Sequence, residues 1–234
     1  MMHECLPPEC NFCYRLLLLF IYLSSNSIAI GQSISSFVPQ KIVKSEKYLF
    51  YLHGGVVTVL GNNAINQSMP EWGPYEYLNI LDSLRNRGFN IISENRKEGI
   101  EDAVYVDKMS KQIDTLFKAG VKPKNILIVG ASAGSAIALN LSAKLKNNKM
   151  KYVIIGGCWP DPYKDYLNIE LYGHFLSIIE SSDPHGTCSK IFEGRKHFIS
   201  IKEIMLNMGV SHGFIYKGYK EWINPTVKWF DETN

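Results

Sequence analysis

Two rhythms of apolar and polar positions alternate along the chain. Lys47-Tyr48-Leu49-Phe50-Tyr51-Leu52, Asn90-Ile91-Ile92-Ser93, residues 126–129, Tyr152-Val153-Ile154-Ile155 and residues 174–179 are short, nearly continuous apolar runs. They read as buried strands. Residues 198–205 alternate more, as an edge strand would. Between these runs the period lengthens. Tyr77, Leu81 and Leu84 recur at helical spacing behind Pro74, with Gly88 as the stop. Val106, Met109, Ile113 and Leu116 mark a second helix closed by Gly120 and Pro123. Small and apolar residues continue a third helix to about Asn147, and Val227, Trp229 and Phe230 suit a closing one. The Asn-rich stretch 61–73 reads as a polar loop. Strands that are apolar on both faces and alternate with helices predict an α/β fold: a mostly parallel central sheet with helices on both faces. Right-handed crossovers would then bring the strand C-termini to one edge, where ligands bind in open sheets of this kind.

The chemistry concentrates just past those strand ends. Gly130-Ala131-Ser132-Ala133-Gly134 lies between a predicted strand and a predicted helix, in the pattern G-x-S-x-G. A serine on so tight a turn needs neighbours without side-chain bulk, which the flanking Gly and Ala residues provide. A dinucleotide-binding turn would require glycine where Ser132 stands, and a phosphate-binding P-loop would require Gly-Lys-Ser/Thr. A serine hydroxyl also needs a base, a carboxylate to orient that base, and fixed donors for an oxyanion. Asp183 and His212, each just past a predicted strand, follow Ser132 in chain order. Asp161 is the rival acid. Among the other histidines, His53 belongs to a glycine turn, His174 opens a strand, His185 follows the candidate acid, and His197 comes before the last strand.

On these residues, together with His53-Gly54-Gly55 after the first long strand, residues 45–232 resemble a small α/β hydrolase of the lidless serine-esterase or dienelactone-hydrolase-like type. The order Ser…Asp…His is that of this superfamily. The resemblance implies Ser132 as nucleophile, His212 as general base and acid, and Asp183 as its orienting carboxylate. It also implies an oxyanion hole from the Ala133 amide and an amide of Gly54 or Gly55. Dienelactone hydrolases carry cysteine at the elbow, so their substrates are not implied. The expected activity is cleavage of a carboxylic ester or related acyl bond through an acyl-enzyme, with a small-molecule acyl substrate and no cofactor or metal. Thioesterase or peptidase action by the same triad, or a non-catalytic binding protein retaining the fold, are the alternatives. Trp72, Tyr75, Trp159 and Tyr163 are candidate pocket walls, with core packing as the plain alternative.

Composition adds limits. The chain has 234 residues, 25 basic and 22 acidic, with no basic cluster, so nucleic acid is not indicated. Arg15 precedes an apolar block at 16–23 followed by Ser24-Ser25-Asn26-Ser27 and small residues. This reads as a secretory signal peptide over 1–31, leaving a single domain over 32–234. The block is far short of the ~20 residues that span a bilayer. The mature chain is then expected to be exported without a membrane span, with anchoring by an uncleaved segment as the alternative. Cys5, Cys10 and Cys13 fall in the leader and lack a matching cluster of ligands for a metal. Cys158 and Cys188 remain, either as one disulfide or as two independent buried thiols.

Overall fold

The computed structural model describes residues 32–158 and 169–233. The expected signal peptide, Asp161 and the pocket candidates Trp159 and Tyr163 lie outside them. Seven strands form one sheet: β1 (Ile34–Ser35), β2 (Lys47–Leu52), β3 (Phe89–Ile92), β4 (Ile126–Ala131), β5 (Lys151–Ile155), β6 (Gly173–Glu180) and β7 (Phe198–Leu206). Their order is β1-β3-β2-β4-β5-β6-β7, and every pairing is parallel. The helices are α1 (Gly55–Leu60), α2 (Tyr77–Arg85), α3 (Asp102–Lys118), α4 (Ala133–Leu145), α5 (Ser189–Phe192) and α6 (Lys220–Glu232), with short 3-10 turns at Pro70–Trp72, Pro123–Asn125 and Ser211–Ile215.

Strand alternation explains the two-sided core. In β2, Tyr48, Phe50 and Leu52 point to one face and join Met109, Ile113 and Leu116 of α3 and Ile137 and Leu141 of α4. Leu49 and Tyr51 point to the other and join Ile80, Leu81 and Leu84 of α2 and Trp222, Ile223 and Phe230 of α6. Each fully buried side chain of this size contributes about 1.5–3 kcal/mol. That is why a strand buried on both faces carries no polar alternation. β7 lies at the sheet's edge and is mostly half-exposed or exposed, as its alternating sequence predicts.

At the opposite end from the ligand edge, Lys151 begins β5 and is 1 % exposed. Its Nζ donates to the Phe230 carbonyl at 2.9 Å and stands 4.4 Å from that ring's centre. Burial lowers its pKa to about 8. The ammonium supports the last turn of α6, where the helix dipole favours a cation.

Three local elements are not given by the sequence pattern. Gly55-Val56-Val57-Thr58-Val59-Leu60 forms α1, although its β-branched residues favour strands. Pro74 does not open α2 but pairs with Ile65 in an isolated antiparallel bridge, and the helix starts at Tyr77. The polar stretch after Gln32 supplies β1, a two-residue edge strand on β3. Pro225 is the sixth of the thirteen residues of α6 and contributes no amide donor to the helix.

Candidate active site

The sharp turn between β4 and α4 puts Ser132 in a conformation that side-chain-bearing residues rarely adopt, φ 50° and ψ −121°. Glycine is required on both sides by contact. A Cβ on Gly134 would lie 1.9 Å from the Leu52 carbonyl oxygen, and one on Gly130 would lie 2.4 Å from the Gly134 oxygen. The Ser135 hydroxyl donates to the Gly130 carbonyl at 2.8 Å and closes the turn from within.

Asp183, three residues past the end of β6, and His212, in the 3-10 turn after β7, converge on this serine. His212 Nδ1 and Asp183 Oδ2 are 2.6 Å apart, and His212 Nε2 and Ser132 Oγ are 3.0 Å apart. A carboxylate can only accept, so Nδ1–H donates to Asp183 and Nε2 is left to accept from the Ser132 hydroxyl. The Asp183 Oδ1 atom accepts the His185 amide at 3.1 Å. All three side chains belong to buried residues, which strengthens the electrostatics of the chain they form. His212 lies in the 3-10 turn Ser211–Ile215, in which His212 to Ile215 are buried.

Two helix N-termini meet beside the Ser132 hydroxyl. A Cβ on Gly54 would stand 3.4 Å from Ser132 Cβ, and one on Gly55 3.7 Å from Ala133 Cβ. Gly55 and Ala133 are the first residues of α1 and α4, and first-turn amides have no intrahelical acceptor. The Gly54 amide faces the Tyr75 hydroxyl at 3.5 Å. Tyr75 is therefore not a cleft wall. It is fully buried, its hydroxyl pairs with that of Tyr51 at 2.8 Å, and burial raises its pKa to about 12. Trp72 does sit at the site, its ring 6.0 Å from that of His212 and 5.3 Å from that of Tyr216.

His53 builds the glycine turn rather than serving Ser132 directly. Its Nδ1–H donates to the Gly54 carbonyl at 2.9 Å, and its Nε2 accepts the Arg96 amide at 2.9 Å. Arg96 Nη2 donates to the His53 carbonyl at 2.8 Å, so one arginine holds both ends of the residue. Arg96 has no motif around it and is invisible without the fold. Burial, with a smaller push from Arg96, brings the His53 pKa from 6.5 down to about 4. In the unfolded chain His53 titrates near 6.5, so between these values the unfolded chain binds more protons. Stability present above pH 6.5 is thus lost as pH falls towards 4, to a limit of about 3 kcal/mol. Chemical unfolding at pH 7, 5.5 and 4 is expected to show this loss in the wild type and a shallower one in His53→Gln. Parallel slopes would show that His53 is not the group responsible.

Cys158 and Cys188 are joined in a disulfide with Cα atoms 5.0 Å apart. It ties the segment after β5 to the loop that follows Asp183. Closing a 30-residue separation is worth about 3–4 kcal/mol by restriction of the unfolded chain. Among the described residues Asp183, His185 and His212 offer potential metal-ligand atoms within 4.8 Å of one another. Asp183 Oδ2 and both His212 ring nitrogens are engaged in the hydrogen bonds above.

No curated protein matches the chain. Solved structures share its fold. Esterase B from Lactobacillus rhamnosis, inhibited by a tributyrin phosphonate, superposes with a TM-score of 0.58 at 11% identity, over 84% of this chain and 79% of that one. An acetyl ester-xyloside bifunctional hydrolase from Caldicellulosiruptor lactoaceticus gives 0.55 at 16%, over 83% and 86%. A putative alpha/beta hydrolase from Agrobacterium tumefaciens gives 0.57 at 17%, over 84% and 88%. At these identities the likeness is one of architecture, the α/β-hydrolase fold. Residues 37–197 match the model of the phospholipase/carboxylesterase family, and the chain belongs to that family of α/β hydrolases.

Proposed function

We propose that this hydrolase of the carboxylesterase type cleaves a carboxylic ester of a small molecule by a serine mechanism. The observation that carries the reading is the unbroken chain Asp183–His212–Ser132, with 2.6 and 3.0 Å links, ending on a strained serine. Ser132 Oγ adds to the ester carbonyl carbon while His212 Nε2 takes the hydroxyl proton. The carbonyl electron pair moves onto oxygen, and the Ala133 and Gly55 amides stabilise that oxyanion. Collapse expels the alcohol, which receives the proton from His212, and leaves an acyl ester on Ser132. Water then adds with His212 as base again, and collapse releases the acid and restores the serine. Asp183 stays ionised throughout, holding the tautomer and stabilising the imidazolium.

The Cys158–Cys188 disulfide supports action outside a reducing cytosol, in line with an exported enzyme. The test is covalent labelling of the purified protein with a fluorophosphonate, followed by a screen of acetyl and butyryl esters. Stoichiometric labelling of Ser132 and ester turnover are expected. A folded wild type that neither labels nor turns over would replace this reading with that of a binding protein on a hydrolase fold.

A further inference from the structure

Glu180 ends β6, three residues before Asp183, and is 1 % exposed. A carboxylate withdrawn from water must be held by donors. The Met208 amide donates to its two oxygens at 3.1 and 3.0 Å, the Gly209 amide to Oε1 at 3.0 Å, and the Ser182 hydroxyl to Oε1 at 3.0 Å. Ser182 Oγ in turn accepts the Ser211 amide at 2.9 Å. Met208, Gly209 and Ser211 belong to the segment that leads from β7 to His212. Ser211 has φ 51°, a left-handed conformation that persists only where surrounding structure imposes it. On the near side, the Asp183 amide donates to the Glu180 carbonyl at 2.9 Å. Burial raises the Glu180 pKa, but the Met208 and Gly209 amides and Ser182 outweigh it and hold the carboxyl below its ordinary value. The clamp is therefore charged at neutral pH, and its hydrogen bonds are charge-assisted.

We propose that Glu180, with Ser182 as its extension, is a positioning residue that clamps the His212 loop onto the Asp183 loop. Neither residue is placed on the reacting atoms. They act by fixing the backbone on which the His212–Asp183 contact depends, and an error of about 1 Å there costs up to a hundredfold in rate. The kinetic consequence rests on the serine-hydrolase reading; the geometric one does not.

Glu180→Gln keeps the shape but replaces one oxygen with an NH2 group that faces N–H donors. It is expected to lower kcat about tenfold or more with KM within about twofold. It is also expected to shift or broaden the downfield proton resonance of His212 Nδ1–H in the free protein. Ser182→Ala, which cuts only the arm to Ser211, should do the same to a smaller extent. Wild-type kcat together with an unaltered His212 resonance in both variants would overturn the proposal. Should Glu180→Gln fail to fold, the same two readouts in Ser182→Ala decide it. The resonance needs no turnover, so a wild type without hydrolysis would sink the proposed function and still leave the clamp to be judged.

Discussion

Replacing Ser132 with alanine is expected to lower kcat by about 10⁴–10⁶-fold, with fluorophosphonate labelling abolished and the fold intact by circular dichroism. In the proposed mechanism the variant removes the atom that would form the acyl bond, while the amides of Gly55 and Ala133 remain for any residual catalysis. His212→Ala should fall to a similar rate, because the hydroxyl loses the acceptor at 3.0 Å that would activate it in that mechanism. Asp183→Asn should lose about 10⁴-fold. Its amide can donate to Nδ1, which turns the imidazole to the wrong tautomer without disturbing the packing. The three losses are not expected to add: Ser132→Ala with His212→Ala should be no slower than Ser132→Ala alone. Steady-state kinetics on a short-chain ester read all four variants. Hydrolysis at the wild-type rate by Ser132→Ala would mean that another nucleophile does the work.

Gly134→Ala should be among the most destabilising single changes in the protein. Helix propensity argues the opposite, since alanine in a helix is worth about 1 kcal/mol over glycine. Contact decides the sign. The added Cβ would stand 1.9 Å from the Leu52 carbonyl oxygen and 2.5 Å from its carbon, and both atoms are backbone of β2. Neither can rotate away, so α4 must move off the sheet, at a cost of about 3 kcal/mol or more. The same displacement would separate Ser132 from the His53-Gly54-Gly55 turn, so the fraction that folds should also be slow. Denaturant unfolding and the yield of soluble protein measure the effect. A variant as stable as the wild type would refute the close approach of α4 to β2.

Much of the fold was legible because long-range and local preferences agree in it. The strands before the middle of the chain are apolar on both faces, and only a strand between two layers of helices tolerates that. α2, α3 and the elbow helix α4 carry their stripes or small residues at helical spacing. Where local preference and tertiary context disagree, the pattern alone does not decide. Val56, Val57 and Val59 favour strands, yet α1 forms because the chain must turn at Gly54 and bury Val57 against the sheet. Tyr75, an aromatic in a loop, reads equally as pocket wall or core packing, and its place beside the glycine turn is buried packing.

The sequence by itself determined the α/β architecture, the glycines the elbow demands, and the chain order of Ser132, Asp183 and His212. These follow from rules with short reach: strand and helix periods, the bulk a tight turn excludes, and one residue placed after each strand. Tertiary structure alone decided that the three side chains meet within hydrogen-bond distance, across separations of 80 and 29 residues. It alone showed that Arg96 holds His53 and that Glu180 ties two loops together. A buried arginine or glutamate looks in sequence like any surface charge. Its role is set by which donors and acceptors the fold brings to it, and those lie dozens of residues away.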